Sequence, residues 1–395
     1  MHTPIALSDR IHPGEWLGML GGGQLGRMFC HEAQKLGYKV VVLDPSGNSP
    51  AGMVAERHMA AAYDDIVALR ELAAITPAVT TEFENVPASS LKQLSASCRV
   101  TPGAAAVAVV QDRIAEKAFI NAQKIPVAPY CEVRDMSDLE QAQDALFPGI
   151  LKVARLGYDG KGQQRVSTRA EAIEAFRDFG QIPCVLEAML PLDHEISVVM
   201  ARAISGETAI FPIGINTHEN GILASTVVAP DLINEDLASQ AREAALRIAE
   251  GLNYQGVLCV EFFVLSDGRL IANEIAPRPH NSGHYTMDAC VTSQFEQQVR
   301  VMTGMPLGAT DLLTPVVMLN ILGDCWFNGN ASHAREPQWH DILAIPGVSL
   351  HLYGKDEPRP GRKVGHINVV GANIEQAKER ARDVIRKMGI RTVLS

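Results

Sequence analysis

The chain has 395 residues, a net charge of −10, seven cysteines and 47% hydrophobic residues. That length exceeds a single core and predicts two or three domains, and the acidic balance disfavours a general nucleic-acid binder. No apolar run approaches about 18 residues, so no membrane span is expected; the scattered cysteines fit neither a disulfide framework nor a zinc site and predict a reducing, cytoplasmic setting.

The first unit reads as alternating strand and helix. Trp16 to Leu20 is a predicted strand, Arg27 to Leu36 a helix stopped by Gly37, and Lys39 to Leu43 a second strand ending at Asp44. Further strands are expected at Ala78 to Thr81 and around Arg99 to Thr101, which makes an open parallel sheet. Between the first strand and helix lies Gly21-Gly22-Gly23-Gln24-Leu25-Gly26, whose amides and helix N-terminus suit a phosphate. Tight strand–helix packing by glycine is the bland alternative. Glu82-Phe83-Glu84-Asn85 closes a later strand, where ligands of such sheets bind; a solvated loop is equally compatible.

A helix capped by Asp112 and limited by Pro126 opens the next unit, with Arg113 in its first turn. Lys152 interrupts the apolar strand Gly149 to Ala154. Behind it, Gly157-Tyr158-Asp159-Gly160-Lys161-Gly162-Gln163 has the glycines and the cation of a mobile phosphate lid. Strands at Cys184 to Ala188, Glu195 to Ala203, Thr208 to Ile213 and Ile222 to Val228 have connections too short for parallel crossovers, so an antiparallel sheet is expected. His218 falls in a predicted turn, Asn216 to Gly221, and Glu235 to Leu252 is a helix.

The most pointed feature is a hairpin. The β-rich runs Val257 to Leu265 and Leu270 to Ile275 flank Asp267-Gly268, a two-residue loop signal. That loop sets Glu261 opposite Glu274, where like charges repel across about 5 Å among apolar neighbours. Oxygen-only ligation by two carboxylates suits Mg²⁺ held against phosphates, with Mn²⁺ as an alternative. A pair with raised pKa, or two separately salt-bridged glutamates, remains open. After Glu274, two prolines stiffen a loop bearing Arg278, His280 and Asn281: a planar-anion clamp, a proton carrier and an amide. A smaller C-terminal unit has strands near Val316 to Leu322, Leu350 to Tyr353 and Val364 to Val370, a helix from Ile374 to Met388, and a basic cluster of Lys355, Arg359, Arg362 and Lys363.

Five segments together resemble the ATP-grasp superfamily and, within it, the N5-carboxyaminoimidazole ribonucleotide synthetase family: Gly23 to Met28, Glu82 to Pro87, Gly157 to Gln163, Asn273 to His284 and Arg359 to Asn368. The resemblance implies an α/β and α+β multidomain fold: a Rossmann-like pre-ATP-grasp domain (1–112), an ATP-grasp domain (113–311) and a small C-terminal α/β domain (312–395). It implies ATP contacts at Arg113, Lys152, Gly157 to Gln163, Glu187, Ala188, Met189, Leu190, Glu195, His218, Asn273 and Glu274, with Mg²⁺ on Glu261 and Glu274. Bicarbonate is expected at Arg278, His280 and Asn281, with Lys161 among the catalytic groups. Aminoimidazole ribonucleotide is expected near Gly23, Gln24, Leu25, Glu82, Asn85, Tyr158, Asp159, Lys355, Arg362 and Lys363. The implied activity is ATP- and bicarbonate-dependent carboxylation of that ribonucleotide, by a cytoplasmic homodimer. One departure is Ala276, where many superfamily members carry an asparagine ligand; Asn273 or water is left to fill the shell. The rival readings are another ATP-grasp ligase, such as a formate-dependent one, a nicotinamide dehydrogenase using the glycine loop, and an inactive nucleotide-binding scaffold.

Overall fold

The computed structural model describes residues 10–157, 161–327, 334–355, 357–392 and 394. The expected lid and substrate residues Tyr158, Asp159 and Gly160 lie outside the described residues. Among the described residues, no helix is long and apolar enough to cross a membrane.

The N-terminal segment forms a five-stranded parallel sheet in the order Arg57–Met59, Lys39–Leu43, Trp16–Leu20, Ala78–Thr81, Arg99–Val100. Beyond their first residues Trp16 and Lys39, its central strands are buried, as a sheet covered on both faces requires. The helix after the glycine loop spans Gln24–Lys35, three residues earlier than its apolar pattern predicts. Gly23 caps it without a side-chain bond, so the missing anchor comes from elsewhere in the chain.

Two further sheets make up the rest. A four-stranded antiparallel sheet orders Tyr130–Val133, Cys184–Ala188, Gly149–Val153 and Gln163–Val166. Helix Arg169–Asp178 covers it through Ala172, Ala175 and Phe176. The largest sheet has nine strands, including Leu270–Ala276, Gly256–Leu265, Leu192–Arg202, Gly214–Glu219 and Ile222–Val228. It then continues through Val316–Leu322, Lys363–Val370 and Val348–Leu352. The C-terminal strands therefore extend the central sheet; the join is Val228 against Val316, a pairing across 88 positions of sequence.

Helix Glu235–Gly251 packs on this sheet with alanines at 238, 241, 245 and 249, the spacing of one helical face. Small side chains let it approach Ile196, Val198, Leu258 and Phe262 closely. Phe262 is fully buried, and truncating such a ring to alanine costs about 3–5 kcal/mol. Helix Ile374–Met388 seals the far end through Ala377, Ala381 and Val384, with Asn373 bonding Gln376 N–H at its start and Gly389 at φ 66° closing it.

Candidate active site

A cleft of about 570 Å³ opens where the three sheets meet. The parallel sheet supplies Gln24, Leu25, Glu82, Glu84 and Asn85; the antiparallel sheets supply Lys152, Gln163, Glu195, His218, Glu261, Asn273 and Glu274. Arg113 and Lys161 join them, the proline-stiffened loop adds Arg278, His280 and Asn281, and the C-terminal segment adds Lys363. Gly23, the Glu187–Leu190 stretch, Lys355 and Arg362 are not among the lining residues.

Glu261 and Glu274 are register partners, as the hairpin pattern predicts, but by a different route. The loop has three residues, not two: Leu265 N–H bonds Arg269 O, and Gly268 takes φ 84°. That shifts Phe262 opposite Ala272, and a bulge at Asn273 shifts the register back. A bulge sets two residues against one and re-aims a side chain. Here the consecutive residues Asn273 and Glu274 both reach the cleft, while Ala276 is buried in the core.

The carboxylate pair is under electrostatic stress. Burial, followed by repulsion from Glu274 and Glu195 and against the pull of His218, pushes the Glu261 carboxyl up to about 7. Its Oε1 is buried without a hydrogen-bond partner, and His280 Nε2 is 3.7 Å away. Glu274 Oε2 lies 3.3 Å from Arg113 Nη1. Two facing carboxylates in a cleft, one of them with an oxygen that has no protein partner, fit a hard divalent cation; among the described residues no cluster of three or more acidic, histidine or cysteine ligands accompanies it.

Beneath the cleft, the expected site residues Lys152 and Glu187 join Lys117, which the sequence does not single out, in a buried charge network. Glu187 Oε2 is 3.1 Å from Lys152 Nζ and 3.2 Å from Lys117 Nζ. Although burial opposes ionisation, the two ammonium groups hold Glu187 down at about 2. Burial lowers Lys152 despite Glu187. Glu116, one residue before Lys117, accepts Ile275 N–H at 2.7 Å directly behind Glu274; burial and the field of Glu274 raise its pKa. On the sequence these two look like the solvated face of helix Arg113–Ala122, yet both are 1% exposed.

His218 lies on strand Gly214–Glu219 and not in a turn; Asn220 and Gly221, both at positive φ, make the reversal. Its Nδ1 is 3.0 Å from Glu195 Oε2, and this bond together with the field of Glu261 raises its pKa although burial opposes the charge. His280 is the opposite case: burial, with Arg278 nearby, holds it well below 6.5. Its Nδ1 faces Ser282 N–H at 3.3 Å and Ser282 Oγ at 2.8 Å, so the hydrogen-bond network assigns the proton to Nε2. A neutral imidazole with that tautomer donates a hydrogen bond into the cleft and is not poised as a base there. Arg278 commits Nε to Glu84 Oε2 at 2.6 Å and Nη1 to Pro279 O, which ties the parallel sheet to the loop.

The glycine loop differs from a phosphate cradle. Glu82 accepts from the amides of Gly23 and Gly26, and Asp44 accepts from Gly22 at 2.7 Å. Glu82 is thus the missing anchor of helix Gln24–Lys35. With these three amides held by the protein's own carboxylates, a dinucleotide pyrophosphate has no cradle here.

Comparison with known proteins agrees with this fold. The chain matches the ribonucleotide synthetase pre-ATP-grasp domain over residues 15–111, the ATP-grasp domain over 118–295 and the phosphoribosylaminoimidazole carboxylase C-terminal domain over 316–380. It is 45% identical over 366 residues to the N5-carboxyaminoimidazole ribonucleotide synthase of Brucella melitensis, covering 90% of this chain and 96% of that one. The ADP complex of the Staphylococcus aureus N5-carboxyaminoimidazole synthetase superposes with a TM-score of 0.87 at 36% identity, covering 96% and 98% of the two chains. The Aspergillus clavatus enzyme with ADP and 5-aminoimidazole ribonucleotide gives 0.85 at 29% identity, covering 95% and 98%. The chain belongs to the N5-carboxyaminoimidazole ribonucleotide synthase family of ATP-grasp ligases.

Proposed function

We propose that the cleft joins bicarbonate to 5-aminoimidazole ribonucleotide at the expense of ATP, giving N5-carboxyaminoimidazole ribonucleotide, ADP and phosphate. The observation that carries this reading is the convergence of Glu82 and Asn85, Lys152 and the Glu261–Glu274 pair, Asn281, and Lys363 on one cavity. A dehydrogenase has no use for the paired carboxylates, and an inactive scaffold no need of them.

ATP is read between the two antiparallel sheets, with Arg113, Lys152 and Lys161 facing its phosphates, Gly157, Gly162 and Gln163 near them, Glu187 to Leu190 along the base and Glu195 with His218 at the ribose. Glu261 and Glu274, with Asn273 beside them, would hold Mg²⁺, which would supply charge neutralisation at the transferring phosphoryl group. Bicarbonate is read at Arg278, His280 and Asn281. Asn281 supports this: it is 7% exposed, and neither side-chain polar atom has a protein partner. The His280 Nε2–H and the Arg278 guanidinium would orient the anion. Its oxygen would attack the γ-phosphorus, the bond to the ADP oxygen would break, and carboxyphosphate would form. The exocyclic amine of the ribonucleotide would then take the carboxyl group, losing a proton as phosphate departs. Gln24, Leu25, Glu82, Asn85, Lys355, Arg362 and Lys363 are read around the ribonucleotide. A homodimer follows from the resemblance, and a cytoplasmic setting is supported by seven cysteines that are all free thiols.

The test is ADP release with ATP, Mg²⁺ and bicarbonate, with and without the ribonucleotide. Ribonucleotide-dependent release, with labelled bicarbonate entering an acid-labile product, is expected; ADP release indifferent to the ribonucleotide refutes the substrate.

A further inference from the structure

Helix Gln294–Thr303 carries three glutamines, Gln294, Gln297 and Gln298, that are 0%, 0% and 2% exposed. Burying a primary amide is costly unless its oxygen and both N–H groups find partners. The partners therefore show what each side chain holds. Gln297 clamps Gly308, donating to its carbonyl at 2.7 Å and accepting its N–H at 3.0 Å, away from the cleft. Gln298 accepts Val257 N–H at 2.6 Å and donates to Thr80 Oγ1 and Thr101 O, bridging the carboxylate strand to the parallel sheet.

Gln294 is spent entirely on the loop that carries Arg278, His280 and Asn281. Its Oε1 accepts His280 N–H at 2.8 Å, and its Nε2 donates to His280 O at 2.7 Å and to His284 Nδ1 at 3.1 Å. One amide thus fixes both backbone groups of His280 and the tautomer of His284. The His284 ring rests on His366, with centroids 4.6 Å apart, and its carbonyl accepts from Asn368 Nδ2 at 3.0 Å. Between these points, Gly283 passes so close to Gln294 Oε1 that a Cβ would collide with it. The backbone of the loop is pinned from behind while the Asn281 amide, next to His280, has no protein partner of its own.

We propose that Gln294 is the positioning residue of the anion loop: its amide locks the His280 backbone so that Asn281 and Arg278 present their polar groups to bicarbonate. The role rests on the reading of bicarbonate at that loop. Outer partners that orient ligand-binding groups typically change affinity or activity 10–100-fold when removed, and a displacement of about 1 Å has a comparable effect.

The test compares Gln294→Met with Gln297→Met in steady-state kinetics, together with thermal unfolding. Gln297 is equally buried and equally bidentate, so it reports the general cost of losing such a clamp. Gln294→Met is expected to raise the bicarbonate KM about tenfold with the ATP KM within about twofold of wild type, whereas Gln297→Met lowers Tm and leaves both KM values in place. An unchanged bicarbonate KM in Gln294→Met, or an equal rise in Gln297→Met, overturns the proposal. If Gln294→Met does not fold, Gln294→Glu keeps the acceptor for His280 N–H but lacks the amide that donates to His280 O and His284 Nδ1; its bicarbonate KM should also rise, and an unchanged value is equally fatal. Asn281→Ala separates the two levels. A normal bicarbonate KM there removes the anion site itself, while a raised one beside an unaffected Gln294→Met removes only the positioning role.

Discussion

Replacing Glu261 by glutamine should make the ligand-free protein more stable and the enzyme inactive. Burial, with Glu274 and Glu195 opposite, raises this carboxyl from 4.5 to about 7. The folded protein therefore binds that proton more tightly than the unfolded chain. Below pH 4.5 the group is neutral in both states and costs nothing. As pH rises through 7 it must ionise in a poor environment, and the rise from 4.5 to about 7 corresponds to roughly 3 kcal/mol at pH 8. Local water entry reduces that figure, so about 1–2 kcal/mol is expected, or about 2–8 °C in Tm for a unit of some 200 residues. Glutamine has nearly the same shape and carries no charge. Differential scanning calorimetry of wild type and Glu261→Gln at pH 5 and pH 8 reads the effect: little difference at pH 5 and a higher Tm for the variant at pH 8. With Mg²⁺ and ADP present the order should reverse, since the cation relieves the strain only where both carboxylates exist. A variant that is equally destabilised at both pH values, or one stabilised by Mg²⁺ and ADP as much as wild type, would rule out the charge penalty and cation-holding role assigned to Glu261.

Glu187→Gln should act in the opposite sense. It leaves Lys117 and Lys152 buried without their counterion, at a cost of about 3–5 kcal/mol by denaturant titration at pH 7. Because Glu187 is held at about 2, its contribution is complete above pH 4.5 and disappears only as pH falls towards 2; destabilisation that persists undiminished at pH 2 would contradict this. His280 should contribute no limb to the pH profile of kcat/KM near 6.5, since burial keeps it neutral, and His280→Phe should lower kcat by about 10²-fold through loss of a hydrogen-bond donor without moving any limb; a limb that vanishes in the variant would restore His280 as a proton carrier. Lys363→Ala should raise the KM for the ribonucleotide about tenfold, as loss of one charge-assisted contact does, and leave the ATP KM in place; a rise in the ATP KM instead would move the ribonucleotide elsewhere.

Much of this architecture was legible in local pattern. The parallel strands Trp16–Leu20 and Lys39–Leu43 and the helix Ile374–Met388 follow from apolar periodicity, caps and stops, and their bounds match. The opposition of Glu261 and Glu274 was legible only by compensation: the extra loop residue and the bulge at Asn273 offset each other, and neither has a sequence signature strong enough to place it. What the sequence could not show is long-range. Lys117 and Glu116 have the composition of a solvent face, and only the packing of helix Arg113–Ala122 beneath the cleft buries them. Glu82 reads as a strand-end acid near a ligand, but 59 positions of intervening chain bring it onto the Gly23 amide, where it occupies the phosphate position of the glycine motif. The pairing of Ile222–Val228 with Val316–Leu322, which merges the C-terminal strands into the central sheet, is a tertiary fact of the same kind. The glutamines of helix Gln294–Thr303 look like an ordinary polar face until their partners are known.

The proposed reaction brings bicarbonate and the γ-phosphate of ATP together directly within this cleft. Turnover with ¹⁸O-labelled bicarbonate, followed by mass analysis of the phosphate released, tests it most directly. Bicarbonate attack on phosphorus predicts one labelled oxygen in each phosphate. Phosphate that takes its new oxygen from water instead would contradict the account, and the loop of Arg278, His280 and Asn281 would need another ligand.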